Sequence, residues 1–349
     1  MSLSMFRSAI ALTVLMAAML LPFFSHAQLS LTGLERELDL ALTPEYPAAG
    51  EDVVLALSSF GMDLARSSIT WYVNGKPIAA GAGKTELSVK AGELGTELTV
   101  MAIAEENSGI VGSARANIRP TEVDLIWSAD SYVPPFYEGR ALPGTNATIH
   151  AQALARFKKA NGTFIPDADI IYSWYQGSKR IVSGRGRSSA TFAGPALFGA
   201  QELFVVAESA DGIYRGRASA RIQSVDPGLE LYENHPLFGV LYHRAFVGSV
   251  LTLESEQLVT AVPYSAHVNF SRDASLLYEW QVNGARIEPD PKRVDTLSIA
   301  VNGYSGPAQI KSTLTSASDL FLRAQGSWEL VFSESTSIFD SNPFGDPNR

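Results

Sequence analysis

Ile69-Thr70-Trp71-Tyr72-Val73-Asn74-Gly75-Lys76-Pro77-Ile78 recurs in outline twice more along the chain. The second copy is Tyr172-Ser173-Trp174-Tyr175-Gln176-Gly177-Ser178-Lys179-Arg180-Ile181. The third is Tyr278-Glu279-Trp280-Gln281-Val282-Asn283-Gly284-Ala285-Arg286-Ile287. The tryptophans lie 103 and 106 residues apart, one β-sandwich domain each. Each copy reads as a hairpin. A bulky ring faces inward on a strand, its neighbours alternate in and out, and Asn-Gly supplies the positive φ angles of a two-residue turn. Gly177-Ser178 takes that place in the second copy. The isoleucine seven residues beyond each tryptophan is expected to fix the register on the far side of the turn.

The flanks repeat too. Pro44-Glu45-Tyr46-Pro47-Ala48-Ala49-Gly50-Glu51-Asp52-Val53 leads into an alternating strand before Trp71. Pro143–Ile149 and Gly248–Leu253 are its expected counterparts, each a turn followed by the second strand of a sandwich. Downstream, Ala104–Ile110 matches Ala207–Ile213 as the turn of a closing hairpin. In the third copy Ser316–Asp319 and Gln325-Gly326 are expected to mark turns before Trp328–Phe332. The domain openings correspond as well, Val123–Trp127 with Leu229–Tyr232. Each is followed by a Pro-containing aromatic insert that the first unit lacks. Leu40 to Trp71 spans 31 residues, against 47 from Trp127 to Trp174.

The fold expected is all-β: three tandem immunoglobulin-like β-sandwich domains, with Trp71, Trp174 and Trp280 as structural core. The expected organisation is a signal peptide over 1–27 and domains over 28–120, 121–225 and 226–334, then a flexible tail over 335–349. The units resemble bacterial immunoglobulin-like and PKD-type extracellular domains. Pro-x-x-Pro-x-x-Gly-x-x-Val (Pro44 to Val53) followed by Trp-x-Val-Asn-Gly (Trp71 to Gly75) carries that resemblance. It departs from PKD domains proper, which have Gly-Asp-Gly after the Trp strand, and from antibody domains, which carry a disulfide. The resemblance implies a role outside the membrane as spacer, adhesin or assembly component, without deciding among these.

Residues 1–27 have the order of an export signal: Arg7 in a short leading segment, the apolar run Ala9–Phe24, then Ser25-His26-Ala27 before Gln28. The apolar run is shorter than a membrane-spanning helix needs. An extracellular, cell-surface or periplasmic protein is expected, touching a membrane only if this segment is retained as an anchor. The 349 residues include no cysteine, which excludes disulfides, thiolate metal sites and Cys nucleophiles. The net charge is −9, and loss of the signal would leave 26 Lys and Arg against 36 Asp and Glu. That balance argues against nucleic acid, whose phosphates need clustered cations. The densest basic stretch, Lys179-Arg180 with Arg185 and Arg187, reads as a solvated hairpin face.

No catalytic motif is present. Neither a Gly-x-Ser-x-Gly elbow nor a phosphate-cradling GxxxxGK[ST] loop occurs. His150, His235, His243 and His267 lack ligand spacing, so no metal site is expected. The acidic turns Glu105–Asn107 and Glu208–Asp211 fall short of a calcium loop. Leu142–Asn146 is internal and ends in Asn, so it is no sorting signal. Asn146, Asn161 and Asn269 head glycosylation sequons that matter only in a eukaryote. No cofactor is expected, and no enzyme.

What remains is aromatic. Trp127, Tyr132, Phe136 and Tyr137 in the second unit, and Tyr232 and Phe238 with Tyr242 and Phe246 in the third, lie in or beside the inserts. Such rings either cover sheet edges and pack between domains, or form a docking surface. Two functions stay open: a non-enzymatic surface or periplasmic scaffold or adhesion protein binding protein partners at the cell envelope, and alternatively a module that stacks these rings on cell-envelope polysaccharide.

Overall fold

A computed structural model describes residues 35–252, 256–300 and 305–332. The segments expected to be a signal peptide (1–27) and a flexible tail (335–349) lie outside the described residues. The described chain is almost entirely extended, apart from a single 3-10 turn at Asp167–Asp169. It forms two compact units. One comprises 35–41, 55–87 and 99–116; the other comprises 42–54, 88–98 and the described residues from 117 onward.

The strands follow one plan three times. The first set is β1 (Glu35–Glu37), β2 (Asp39–Thr43), β3 (Asp52–Ser58), β4 (Ser68–Val73), β5 (Lys76–Ala82), β6 (Glu86–Lys90), β7 (Leu98–Glu105) and β8 (Val111–Ile118). Its sheets have the orders β1-β8-β7-β4-β5 and β2-β3-β6. The second set is β9 (Glu122–Ala129), β10 (Thr148–Arg156), β11 (Ile170–Gln176), β12 (Lys179–Arg185), β13 (Ser189–Ala193), β14 (Ala200–Ser209) and β15 (Arg215–Gln223). Its sheets are β13-β10-β9 and β12-β11-β14-β15. The third set is β16 (Gly228–His235), β17 (Gly239–Ala245), β18 (Ser249–Thr252), β19 (Glu256–Tyr264), β20 (Leu276–Val282), β21 (Ala285–Ile287), β22 (Thr296–Ala300), β23 (Gly306–Ser316) and β24 (Arg323–Phe332). Its sheets are β17-β16-β19-β22 and β18-β24-β23-β20-β21. The fold is all-β, built of tandem immunoglobulin-like sandwiches.

Period-two sequence makes these strands, because alternate side chains must leave water while their neighbours stay in it. In β10, Ile149, Ala151 and Ala153 point inward, and in β14 Leu203, Val205 and Ala207 do the same. Trp71, Trp174 and Trp280 are each 0% exposed. Each buried indole N–H finds a main-chain carbonyl on the far side of the following hairpin: Lys84 at 2.8 Å, Arg187 at 2.8 Å and Val294 at 2.9 Å. A buried donor without such a partner is costly, so the same acceptor recurs 13 or 14 residues downstream.

The Asn-Gly turns do more than reverse the chain. Asn74 and Asn283 have φ of 49° and 48°, and the following glycines 77° and 81°. Their Oδ1 atoms accept the N–H groups of Thr99 (3.0 Å) and Gln309 (2.8 Å), latching the turn to the neighbouring strand.

Three local expectations change. Ser249–Thr252 is not the second strand of its sandwich; it pairs parallel with the closing strand β24, and β19 takes the second-strand place. Ile78 and Ile181 are exposed rather than register pins, because a bulge after Trp71 and Trp174 puts Ala79 and Val182 opposite the tryptophans. Ile287 does pair with Trp280, yet is exposed too, on an edge strand.

Gln325-Gly326 is not a turn but the interior of β24, and the reversal lies between Ser316 and Arg323. Gly326 is there because the Trp328 ring lies back over it; a Cβ at this position would sit 2.0 Å from that ring. Gly326→Ala should therefore destabilise the third sandwich by about 2 kcal/mol, the cost of overpacking a core. Chemical denaturation followed by tryptophan fluorescence measures it.

Candidate functional site

The insert between β9 and β10 does not stay on its own sandwich. Ala129 donates to the carbonyl of Ala141 (3.0 Å), closing the insert into a loop. Within it Tyr132 and Ala266 form an antiparallel bridge: Tyr132 N–H donates to Ala266 (2.7 Å), and Ser265 N–H donates back to Tyr132 (2.9 Å). Ala266 belongs to the loop between β19 and β20, so the second insert is stitched into the third sandwich. Further contacts join the two. The Tyr137 ring meets Tyr264 edge-on at 5.8 Å, His267 Nε2 lies 3.4 Å from Asp130, and Asn146 reaches Asp319 at 3.4 Å.

Tyr132 is half-buried against the third core and contacts Ser271 and Tyr242. Burial, reinforced by Tyr242, pushes its hydroxyl up to about 12. Its receiving loop is held by a buried carboxylate. Asp295 accepts from Arg272 Nε (3.0 Å), Ser271 Oγ (3.3 Å) and Thr296 Oγ1 (3.2 Å), while Tyr278 donates its hydroxyl to the Ser271 carbonyl (2.7 Å). None of Arg272, Asp295 or Tyr264 stands out in the sequence, since each acts through partners distant along the chain.

The candidate aromatics separate by accessibility. Trp127 is 8% exposed, packed in the second core beneath the Arg140 guanidinium, 4.4 Å from its ring. Tyr232 is 4% exposed, and its hydroxyl bonds to that of Tyr264. These two and the docked Tyr132 are spent on packing. Phe136 (93% exposed), Tyr137 (partly) and Phe238 (75%) remain open to a partner. Phe238 caps the β16–β17 hairpin, where His235 Nδ1 accepts the N–H groups of Leu237 (3.1 Å) and Phe238 (3.4 Å). That bonding gives His235 a turn-forming role.

Phe136 has a further peculiarity. Tyr137 N–H donates to Pro134 (3.2 Å), closing a turn with Pro135 second and Phe136 third, at φ 65°. The third place of such a turn ordinarily belongs to Gly or Asn. A residue absent from the sequence candidates, Phe198, repeats this: Gly199 N–H donates to Ala196 (2.7 Å), and Phe198 stands third at φ 57° and 77% exposed. The Phe198 turn lies at the exit of β15, where Ser224 donates to Gly199 (3.0 Å); Val225 donates to Pro143 (2.9 Å), in the same insert that carries the Phe136 turn. A bulky residue in left-handed backbone is strained by about 1 kcal/mol or more. Fully solvated, such a ring returns nothing to the fold.

Other polar groups are occupied. Glu106 accepts from Asp63 N–H and Ser108 Oγ, and Asp211 from Ser209 Oγ and Ile213 N–H, so the acidic turns use their oxygens internally. Hydrogen bonds from Ser209 and Ile213 hold the Asp211 carboxyl below its ordinary range. Arg185 pairs with Asp169 on the hairpin face. Among the described residues no three His, Asp or Glu side chains are grouped to hold a metal ion. Nor is any helix there long and apolar enough to cross a membrane.

No protein-family profile matches the sequence. No curated protein sequence matches it either. Solved structures do resemble the fold. The three N-terminal domains of the bacteriophage RB49 Highly Immunogenic Outer Capsid protein align over 85% of this chain and 98% of theirs, at 13% identity and TM-score 0.24. The central fibronectin-III array of RIM-binding protein covers 85% and 96%, at 13% identity and TM-score 0.31. The Bacteroides ovatus mixed-linkage glucan utilization locus protein SGBP-B, solved with a mixed-linkage heptasaccharide, covers 85% and 70%, at 10% identity and TM-score 0.23. At such TM-scores nothing about function follows, and the architecture rests on this chain's own strand order.

Proposed function

We propose that this chain is a non-enzymatic, exported scaffold or adhesion protein that binds protein partners at the cell envelope. It would do so through aromatic side chains on the turns of domains spanning 28–120, 121–225 and 226–334. One observation carries the reading: Phe136 and Phe198 hold exposed rings on positive-φ backbone at one end of the second sandwich. The fold gains nothing from that arrangement, whereas exposed apolar rings are what interfaces use as anchors. Export rests on residues 1–27.

The test separates binding from stability. Phe136→Gly with Phe198→Gly relieves two strained positions, so thermal stability should hold or rise by up to about 1 kcal/mol per site. Partner binding should fall by more than about tenfold, the loss expected from an aromatic hot spot. Pull-down from host envelope extract, with wild-type and doubly substituted exported chain beginning at Gln28, reads both. Equal capture by the two proteins sinks the proposal. Retention of a polysaccharide, rather than a protein, replaces it with the glycan reading.

A further inference from the structure

The three sandwiches differ at one edge. In the first, β1 pairs parallel with the closing strand β8, Glu35 opposite Val111 to Glu37 opposite Ser113. In the third, β18 pairs parallel with β24, Ser249 opposite Glu329 to Thr252 opposite Phe332. In the second, the closing strand β15 ends its sheet, with β14 as its one strand partner among the described residues. The reason is visible in the connectivity. The segment between β9 and β10, which could have supplied that parallel strand, is diverted to Ala266 of the third sandwich.

The direction of the free backbone groups follows from the ladder. Ser224 N–H donates to Gly199 (3.0 Å), so in the alternation of an antiparallel pair Ile222, Ala220, Ala218 and Gly216 also bond inward to β14. Arg215, Arg217, Ser219, Arg221 and Gln223 then turn their N–H and C=O groups outward. Two observations agree. The Arg215 carbonyl accepts Thr121 Oγ1 (2.9 Å) from outside the sheet, and Glu202, opposite Arg221, gives its carbonyl to Gly177 on the other side. Thr121 and Val123 close over Gly216 at the start of β15, and just past its end the outward Val225 N–H donates to Pro143 (2.9 Å), so the stretch between is what lacks a partner. From Arg217 to Gln223 no strand other than β14 is hydrogen-bonded to β15 among the described residues, β9 packing nearby without pairing.

We infer that the outer edge of β15, Arg217 to Gln223, accepts an extended, acidic segment of a partner protein as an added parallel strand. This rests on the reading of the chain as a protein-binding scaffold and gives that reading a second surface. The mode is set by the backbone, since an unpaired strand edge is a template for another strand. Charge sets the chemistry of the occupant. Arg215, Arg217 and Arg221 are all exposed on one face of β15; Arg215 lies 3.9 Å from Glu208 and Arg217 pairs with Glu202 (3.0 Å), while among the described residues Arg221 has no carboxylate partner. A neighbouring strand with carboxylates at alternate positions would lie beside this row. Gln201, Glu202, Ser219 and Arg221 line a shallow depression over the same ladder.

The probe is a blocked peptide of about eight residues, alternating Glu and Val, long enough for a typical strand. It is added to the full exported chain while amide exchange is followed by NMR. Arg217, Ser219, Arg221 and Gln223 amides should exchange fast in the free chain and slow on peptide addition, and binding should weaken with salt. Arg221→Glu should lower affinity about tenfold, as loss of a complementary charge does. Ser219→Pro should abolish binding, because it removes an outward N–H without touching an inward one. Equal binding of a Lys-Val peptide, or of one N-methylated on alternate amides, overturns the inference. So does protection of these amides in the free chain that grows with its concentration, since the occupant is then a second copy. Phe136→Gly should leave peptide binding unchanged, so failure of the edge and failure of the aromatic surface are told apart.

Discussion

Trp174→Ala should cost about 4 kcal/mol and unfold the second sandwich well before the rest of the chain. Two terms add. The indole is fully buried beside Phe192, its ring 5.8 Å away, and truncating a buried Trp costs about 3–5 kcal/mol through lost burial and the cavity left behind. The Arg187 carbonyl also loses its donor, a further penalty if no water reaches it. Trp174→Phe keeps much of the apolar contact but removes the N–H together with part of the ring, so it should cost less than Trp174→Ala, about 2 kcal/mol. Site-resolved hydrogen exchange is the right measurement, since a chain of several sandwiches need not unfold in one step. Amides of β11 and β14 should lose protection while those of β20 and β23 keep theirs. Uniform loss along the chain would show that the sandwiches do not unfold separately.

The second large effect lies under the Tyr132 bridge. Arg272→Leu should destabilise the third sandwich by on the order of 3 kcal/mol, because Asp295 is buried and would lose its cation. Arg272 is half-exposed, which sets the expectation at the lower end of the range for broken buried pairs. Asp295→Leu alone should cost a similar amount by stranding Ser271 and Thr296. The double substitution should cost less than the sum of the two, and that coupling, read from a double-mutant cycle in denaturant, is the diagnostic. Because Ser271 also receives Tyr278 and contacts Tyr132, Arg272→Leu should speed exchange of the Tyr132 amide, which bonds to Ala266. If the Tyr132 amide is unmoved while the sandwich weakens, the carboxylate serves the core and not the bridge.

Much of this was legible because it is local. A tryptophan followed by Asn-Gly specifies an inward ring and a positive-φ turn within a few residues, and period-two runs such as Val53, Leu55, Leu57 specify which face is buried. Phe136 could be picked out beside Pro134-Pro135, whereas Phe198 could not, since its turn lies in an ordinary Ala-Leu-Phe-Gly stretch. Gly326 misled because a glycine marks a turn and a crowded strand alike, and only the position of the Trp328 ring distinguishes them.

The amino-acid sequence by itself determined the repeat, the sandwich class, the buried tryptophans and the turns that shape their hairpins. Those follow from side-chain pattern and backbone preference over a few residues. Tertiary structure alone decided where the aromatic insert goes, which carbonyl satisfies each indole, and which closing strand is left with an open edge. Those are pairings between main-chain groups far apart along the chain, and a carbonyl or an N–H looks the same in every residue that carries one.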